Sequence, residues 1–170
     1  MKAIVLGLFL VASSSFAASH AVIKNRDGKV LGEINFMDKD KGLMVKGKLK
    51  GLDKSSTHAF HIHENGKCED NFKSAGSHFD PYHIKKHGSL METSHAGDLG
   101  NIKVNKDGAS VFEKYKRGIK ETEKSADKKK AYTIIGKSVI IHAKADDLKS
   151  QPSGAAGERI ACGIISYKKS

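Results

Sequence analysis

Thr57-His58-Ala59-Phe60-His61-Ile62-His63 alternates in its second half between apolar and imidazole side chains. Successive side chains of an extended strand point to opposite faces, so Phe60 and Ile62 share one face and His61 and His63 the other. This stretch therefore predicts a strand with a core side and a histidine side. Working outward, short apolar or alternating runs recur at 20–25, 30–36, 43–49 (LMVKGKL), 101–104, 111–115, 138–143 (SVIIHA) and 161–167 (ACGIISY). Turn pairs such as Asp27-Gly28 and Asp107-Gly108 punctuate them. Many short strands separated by Gly, Asp and Asn turns predict an all-β antiparallel sandwich or barrel. Two long stretches, 64–99 and 145–158, lack strand periodicity. Loops of that length in a compact domain are commonly functional.

The first long stretch carries a concentration of histidines. His61 and His63, two apart on one strand face, can grip one metal ion, although such a pair also fits a solvated strand face. His78, His87, His95 and Asp98 follow within 21 residues, in a segment too polar and Gly-rich to form a core. Three imidazoles and a carboxylate make a closed tetrahedral set, the pattern of structural zinc. His142 ends the apolar run Val139-Ile140-Ile141 and is read as a further ligand from a neighbouring strand. Imidazole suits copper, zinc, iron and nickel alike, so these residues by themselves leave the metal open.

The ends of the chain define its compartment. Lys2, the apolar run 3–12 (AIVLGLFLVA) and the small residues Ser15 and Ala17 have the order of an export signal. Cleavage after Ala17 divides the chain into a signal peptide, 1–17, and a single domain, 18–170. A bacterial periplasm is the expected destination, with secretion as the alternative. Cys68 and Cys162 in an oxidising space are expected to pair. No apolar run is long enough for a membrane-spanning helix. The chain has 170 residues and a formal net charge of +11. No nucleic-acid motif or aromatic interleaving accompanies that charge, so specific nucleic-acid binding is not expected. The densest basic run, 114–130 (KYKRGIKETEKSADKKK), has eight basic and three acidic residues and reads as a solvated face. A mature start Ala18-Ser19-His20 would also offer an amine, two amides and the His20 imidazole to cupric ion, an auxiliary copper site.

Five linked motifs carry a family resemblance over essentially the whole exported portion. His58-Ala59-Phe60-His61-Ile62-His63-Glu64 resembles the copper-binding signature of copper/zinc superoxide dismutases. Ala75-Gly76-Ser77-His78-Phe79-Asp80-Pro81 is similar to the segment with the bridging histidine. Lys86-His87-Gly88 and His95-Ala96-Gly97-Asp98-Leu99-Gly100-Asn101 resemble the zinc loop. Ile140-Ile141-His142-Ala143-Lys144-Ala145-Asp146-Asp147 resembles the strand bearing the last copper ligand. Gly157-Glu158-Arg159-Ile160-Ala161-Cys162-Gly163 is similar to the signature with the active-site arginine and second cysteine.

The resemblance implies a Greek-key antiparallel sandwich or barrel of about eight strands with two long functional loops. It implies one copper per subunit on His61, His63, His78 and His142, and one zinc on His78, His87, His95 and Asp98. His78 and Arg159 are the implied catalytic residues, the latter guiding the superoxide anion. Asp146 would link a copper histidine to a zinc histidine, His58 would be structural, and Cys68–Cys162 the disulfide. The implied reaction converts superoxide to dioxygen and hydrogen peroxide, protecting the space outside the cytoplasm. A homodimer is compatible with the family.

Loop lengths depart modestly from animal relatives: 78–87 is one residue longer and 87–95 one shorter, which makes His83 a rival zinc ligand. The stretch 68–78 resembles bacterial members. The loop 145–158 is short, leaving Lys149 as a candidate charge-steering residue. Metal sequestration or copper delivery is the main non-enzyme alternative; it needs the same histidines but neither Arg159 nor a bridged pair. A di-zinc hydrolase would want an Asp-His pair soon after His63, where Glu64-Asn65-Gly66 stands.

Overall fold

In a computed structural model, residues 19–88, 93–123 and 132–168 are described. Among the described residues eleven strands form: β1 Ser19–Asn25, β2 Val30–Lys39, β3 Gly42–Lys50, β4 Thr57–His63, β5 Asp98–Lys103, β6 Ala109–Arg117, β7 Thr122–Glu123, β8 Tyr132–Thr133, β9 Ser138–His142, β10 Arg159–Ile164 and β11 Ser166–Tyr167. Eight of them build one antiparallel sheet in the order β5-β4-β9-β10-β1-β2-β3-β6, with β11 added beside β1 and β7–β8 a separate short hairpin. The chain leaves β3 to lay β4 and β5 at the far edge, then returns to place β6 against β3. This is a Greek-key path, and β5 and β6 pack across the remaining seam of a nearly closed barrel.

Period-two patterning accounts for the strands. Along β3, Leu43, Val45 and Leu49 turn inward while Lys46, Lys48 and Lys50 face water. Ile23, Ile34, Phe36, Phe60, Ile62, Leu99, Ile102, Val139 and Ile141 complete the barrel interior. Burying each such side chain contributes about 1.5–3 kcal/mol. On β4, however, every residue from His58 to His63 is buried, on both faces. The reason is that the long loops fold over the outside of β4, β9 and β10. Phe72 and Ala75 in the 3-10 segment Asp70–Ala75 pack with Ile140 and Cys162 as a second apolar cluster. The Cys68–Cys162 disulfide fastens that loop to β10, with Cα atoms 5.8 Å apart.

The basic run 114–130 is not uniformly solvated: its first residues lie on β6, where Lys116 is 2% exposed. Residues 124–130 lie outside the described residues, as does the export segment 1–17. Residues that the amino-terminal copper chelate at His20 would use are engaged in the barrel. Ser19 is buried with its amide nitrogen donating to Glu121 Oε1 at 2.8 Å, and His20 is paired between Asn35 and Ser166. Chelation through these amides would require dismantling the start of β1.

Candidate metal centre

Strand register gathers the site at one end of the barrel. His61 of β4 lies opposite Asp98 of β5, and His142 of β9 lies opposite Arg159 of β10. The loop after β4 turns back so that His63 and His78 bridge as an isolated antiparallel pair, with Phe79 N donating to Ile62 O at 2.9 Å. Gly97 must be a glycine here, because a Cβ would stand 2.2 Å from Ile62 O.

Each imidazole in the first group has one nitrogen fixed. His61 Nε2 meets Asp146 Oδ2 at 2.9 Å, and His63 Nδ1 donates to Gly76 O at 2.9 Å. His78 Nδ1 meets Asp98 Oδ1 at 2.7 Å, and His142 Nδ1 donates to Gly157 O at 3.2 Å. The opposite nitrogens, His61 Nδ1, His63 Nε2, His78 Nε2 and His142 Nε2, are buried with no hydrogen-bond partner. Ligand atoms of these four residues lie within 4.8 Å of one another. Burying convergent unpaired nitrogens is costly unless something binds them, and orienting a ligand histidine through its second nitrogen is how metal sites are built. The donor set fits a copper ion.

The second group centres on Asp98 Oδ1. His78 Nδ1 stands 2.7 Å away, His87 Nδ1 3.0 Å and His95 Nδ1 3.4 Å. The compact cluster here is His61, His78, His87 and Asp98, with His95 at its edge and its Nδ1 without a hydrogen-bond partner. His61 Nε2 is already held by Asp146, so its free nitrogen serves the first group. Three imidazole nitrogens around one carboxylate oxygen fit tetrahedral zinc. His83, the rival, is exposed and stands on the cavity rim rather than at Asp98.

Asp146 joins the groups, with Oδ1 2.8 Å from His87 Nε2 and Oδ2 on His61. Gly154 makes room for it: a Cβ there would meet Asp146 Oδ1 at 1.9 Å. His58 lies 2.8 Å through Nδ1 from His142 O and 2.7 Å through Nε2 from Ser56 Oγ, bracing β9. Two positioning residues escaped the sequence reading. Asn101 brackets the Asp146 main chain at 2.7 and 2.9 Å, and Gln151 brackets that of His87 at 2.8 and 2.9 Å. Asn101 sat within a recognised motif, whereas Gln151 carried no signal.

Electrostatics separate the two groups. Burial pushes the His78 imidazole down to about 4 and His142 down to about 3, and it lowers His61 and His63 as well. All four are therefore neutral and able to ligate at neutral pH. Burial also opposes charge on His87, but Asp146 and Asp98 outweigh it and raise it to about 9. Burial works against the Asp98 and Asp146 carboxylates too, yet the histidines they meet keep both below the usual range.

A cavity of about 550 Å³ opens onto His63, His78, His142 and Arg159. Arg159 is held by main-chain oxygens, Nη1 donating to Phe72 O at 2.7 Å and Nη2 to Gly76 O at 2.6 Å. The disulfide-linked loop thus fixes the guanidinium beside the copper-fitting nitrogens. Lys149 is exposed and does not line this cavity, whereas Lys85 does.

The family described as copper/zinc superoxide dismutase (SODC) matches residues 30–165. Superoxide dismutase [Cu-Zn] 2 of Aquifex aeolicus (strain VF5) is 38% identical over 170 residues, covering 97% of this chain and 98% of the relative. Superoxide dismutase [Cu-Zn] 5 of Dictyostelium discoideum is 41% identical over 157 residues, covering 87% of this chain and 96% of the relative. Among solved structures, a double mutant of a SOD-like protein from Bacillus subtilis aligns with a TM-score of 0.73 at 36% identity, covering 86% of this chain and 96% of that one. The orphaned imidazole nitrogens, the carboxylate-centred second set and these similarities lead to one assignment: the chain belongs to the copper/zinc superoxide dismutase family.

Proposed function

We propose that this chain is a copper/zinc superoxide dismutase with copper on His61, His63, His78 and His142 and zinc on His78, His87, His95 and Asp98. The observation that carries the proposal is the set of four buried, unpartnered imidazole nitrogens facing one space beside Arg159. Copper supplies one-electron chemistry by alternating between cupric and cuprous states, while zinc has no redox role. Two superoxide anions and two protons become dioxygen and hydrogen peroxide.

The residues divide the remaining work. Arg159 stays charged at any working pH and offers several donors to a small anion entering the cavity. His78 presents Nε2 to the copper set and Nδ1 to Asp98; whenever Nε2 is not holding the metal it would take a proton from water and pass it to a reduced oxygen species beside Arg159. The second proton comes from water. Asp98 and Asp146 keep the ring orientations fixed while that proton moves.

The chain is further proposed to act in the periplasm after removal of residues 1–17; the order of charged, apolar and small residues in that segment supports this. A homodimer is proposed through the groove beside the disulfide. There Val22 and Ile164 are 40% and 45% exposed, next to Phe72 and Cys68. Light scattering of the purified protein reads the oligomeric state. The enzyme proposal is tested by superoxide decay with the protein reconstituted in copper and zinc, at low and high salt. Fast decay that slows with salt supports it. Both metals bound with negligible turnover would overturn it in favour of copper handling.

A further inference from the structure

Lysine is almost never fully buried unless its ammonium is paired. Lys116 is 2% exposed, in the seam where β6 meets Tyr82, Ser94 and Ala96. Its backbone is paired with Leu43 of β3, so its Cα is fixed by the barrel. The side chain crosses the seam, and Nζ donates to Ser94 Oγ at 3.0 Å. Ser94, itself 3% exposed, immediately precedes His95. A small cavity of about 170 Å³ lies alongside, lined by Tyr82, Ser94, Ala96, Lys116, Arg117 and Gly118.

Resting on the assignment of His78, His87, His95 and Asp98 to zinc, we infer that Lys116 is a positioning residue for His95, acting through the Ser94 hydroxyl that its ammonium holds in this seam. Of the three imidazole nitrogens around Asp98 Oδ1, that of His95 is the most distant, at 3.4 Å. Its main chain is tied to the loop where His95 N donates to Lys86 O, and to the start of β5 where Asp98 N donates to His95 O. Neither bond holds the stretch on the amino-terminal side of His95 against β6. The Lys116–Ser94 contact ties this stretch to the barrel wall. Ligand geometry must hold to about 0.5 Å, so an anchor one residue away governs whether His95 reaches the ion. A long apolar stem with a terminal donor suits the task, since the stem fills the seam and only its end needs a polar partner. This also explains why one residue of a lysine-rich run turns inward.

The test uses the full chain with Lys116→Met and, separately, Ser94→Ala. Zinc affinity is read by competition with a chromophoric chelator, and metal-free stability by thermal unfolding. Cobalt put in place of zinc reports four-coordinate geometry by its visible absorption. Both variants are expected to lose roughly ten- to a hundred-fold in zinc affinity. Weakened tetrahedral cobalt bands in both variants complete the expected result. If Lys116→Met fails to fold, Ser94→Ala decides. Zinc affinity within about two-fold of wild type overturns the inference, as does a change confined to metal-free stability. Wild-type protein that takes up no zinc overturns the metal assignment and this inference with it.

Discussion

Asp146→Asn removes one oxygen and one charge from the link between the two metal groups while keeping the side chain's shape. In the native arrangement His61 directs Nδ1 toward the copper set and His87 directs Nδ1 toward Asp98, so both Nε2 atoms donate to Asp146, at 2.9 and 2.8 Å. An asparagine can accept from only one of them and turns its own NH₂ donor toward the other. The histidine side chains and Asp146 are fully buried, so water cannot compensate. One buried donor left unpaired costs about 1–3 kcal/mol. At ~1.4 kcal/mol per decade this corresponds to about 5- to 150-fold in a binding constant. The assay is parallel titration of metal-free wild type and variant with copper and zinc against competing chelators. Asp147→Asn serves as control, because the exposed carboxylate of that neighbour accepts from the 149–150 turn and not from the histidines. Affinities for both metals within two-fold of wild type would refute the claim that the shared carboxylate orients both imidazoles.

Arg159→Ala should keep both metals yet lower the decay rate at least ten-fold and flatten its salt dependence, since a guanidinium fixed at the cavity wall is lost; an unchanged rate at low salt would remove Arg159 from substrate guidance. Gly154→Ala places a methyl 1.9 Å from Asp146 Oδ1 and 2.6 Å from His87 Nε2, at a positive φ of 68°, so metal content should fall sharply; full metal occupancy would contradict the packing. Reducing Cys68–Cys162, which spans 94 residues, should destabilise the protein by about 2–5 kcal/mol in denaturant titration, and a midpoint unmoved by reductant would contradict this. In metal-free protein the His78 pKa is about 4 against an ordinary 6.5, so the unfolded chain binds more protons between those values. Stability should therefore fall by about 3 kcal/mol from His78 alone as pH drops from 6.5 through 4. His87, raised to about 9, works in the opposite direction: its contribution is present below 6.5 and lost as pH rises through 9. Thermal unfolding across pH 4–9 that shows no maximum would refute both shifts.

The eight main strands were legible either by alternation, as Leu43, Val45 and Leu49 show against exposed lysines, or as short β-rich runs such as Val139-Ile140-Ile141. The strands β7 and β8 were not, being two residues each and too short to show a period. The site was legible wherever chemistry resides in residue type: histidines two apart on a strand, a carboxylate following three more. It was illegible where a residue acts through its backbone contacts. Gln151 holds His87 by both ends of its amide, yet nothing in Ser150-Gln151-Pro152 marks it. Lys116 misled for a related reason. Charge in a basic run predicts exposure, and only the contact of β6 with Ser94 reveals that this member points inward.

The placement of negative charge within the centre has a further consequence. The two imidazoles that face the cavity from its copper side, His63 and His142, are oriented by neutral main-chain oxygens of Gly76 and Gly157. The two carboxylates that orient rings, Asp98 and Asp146, are fully buried behind them. Glu64 and Asp80 also line the cavity, but their oxygens accept main-chain N–H groups, Glu64 from Ser77 and Asp80 from Ile84 and Lys85. An approaching anion therefore meets the Arg159 guanidinium with the carboxylates either buried or occupied. Geometry and attraction are thus assigned to different residues, and the variants should separate them. Asp146→Asn should reduce metal occupancy while the loaded fraction keeps the wild-type salt dependence, and Arg159→Ala should do the reverse. If the loaded fraction of Asp146→Asn lost its salt dependence, buried charge behind the rings would be shaping the approach of substrate, and this division of roles would fail.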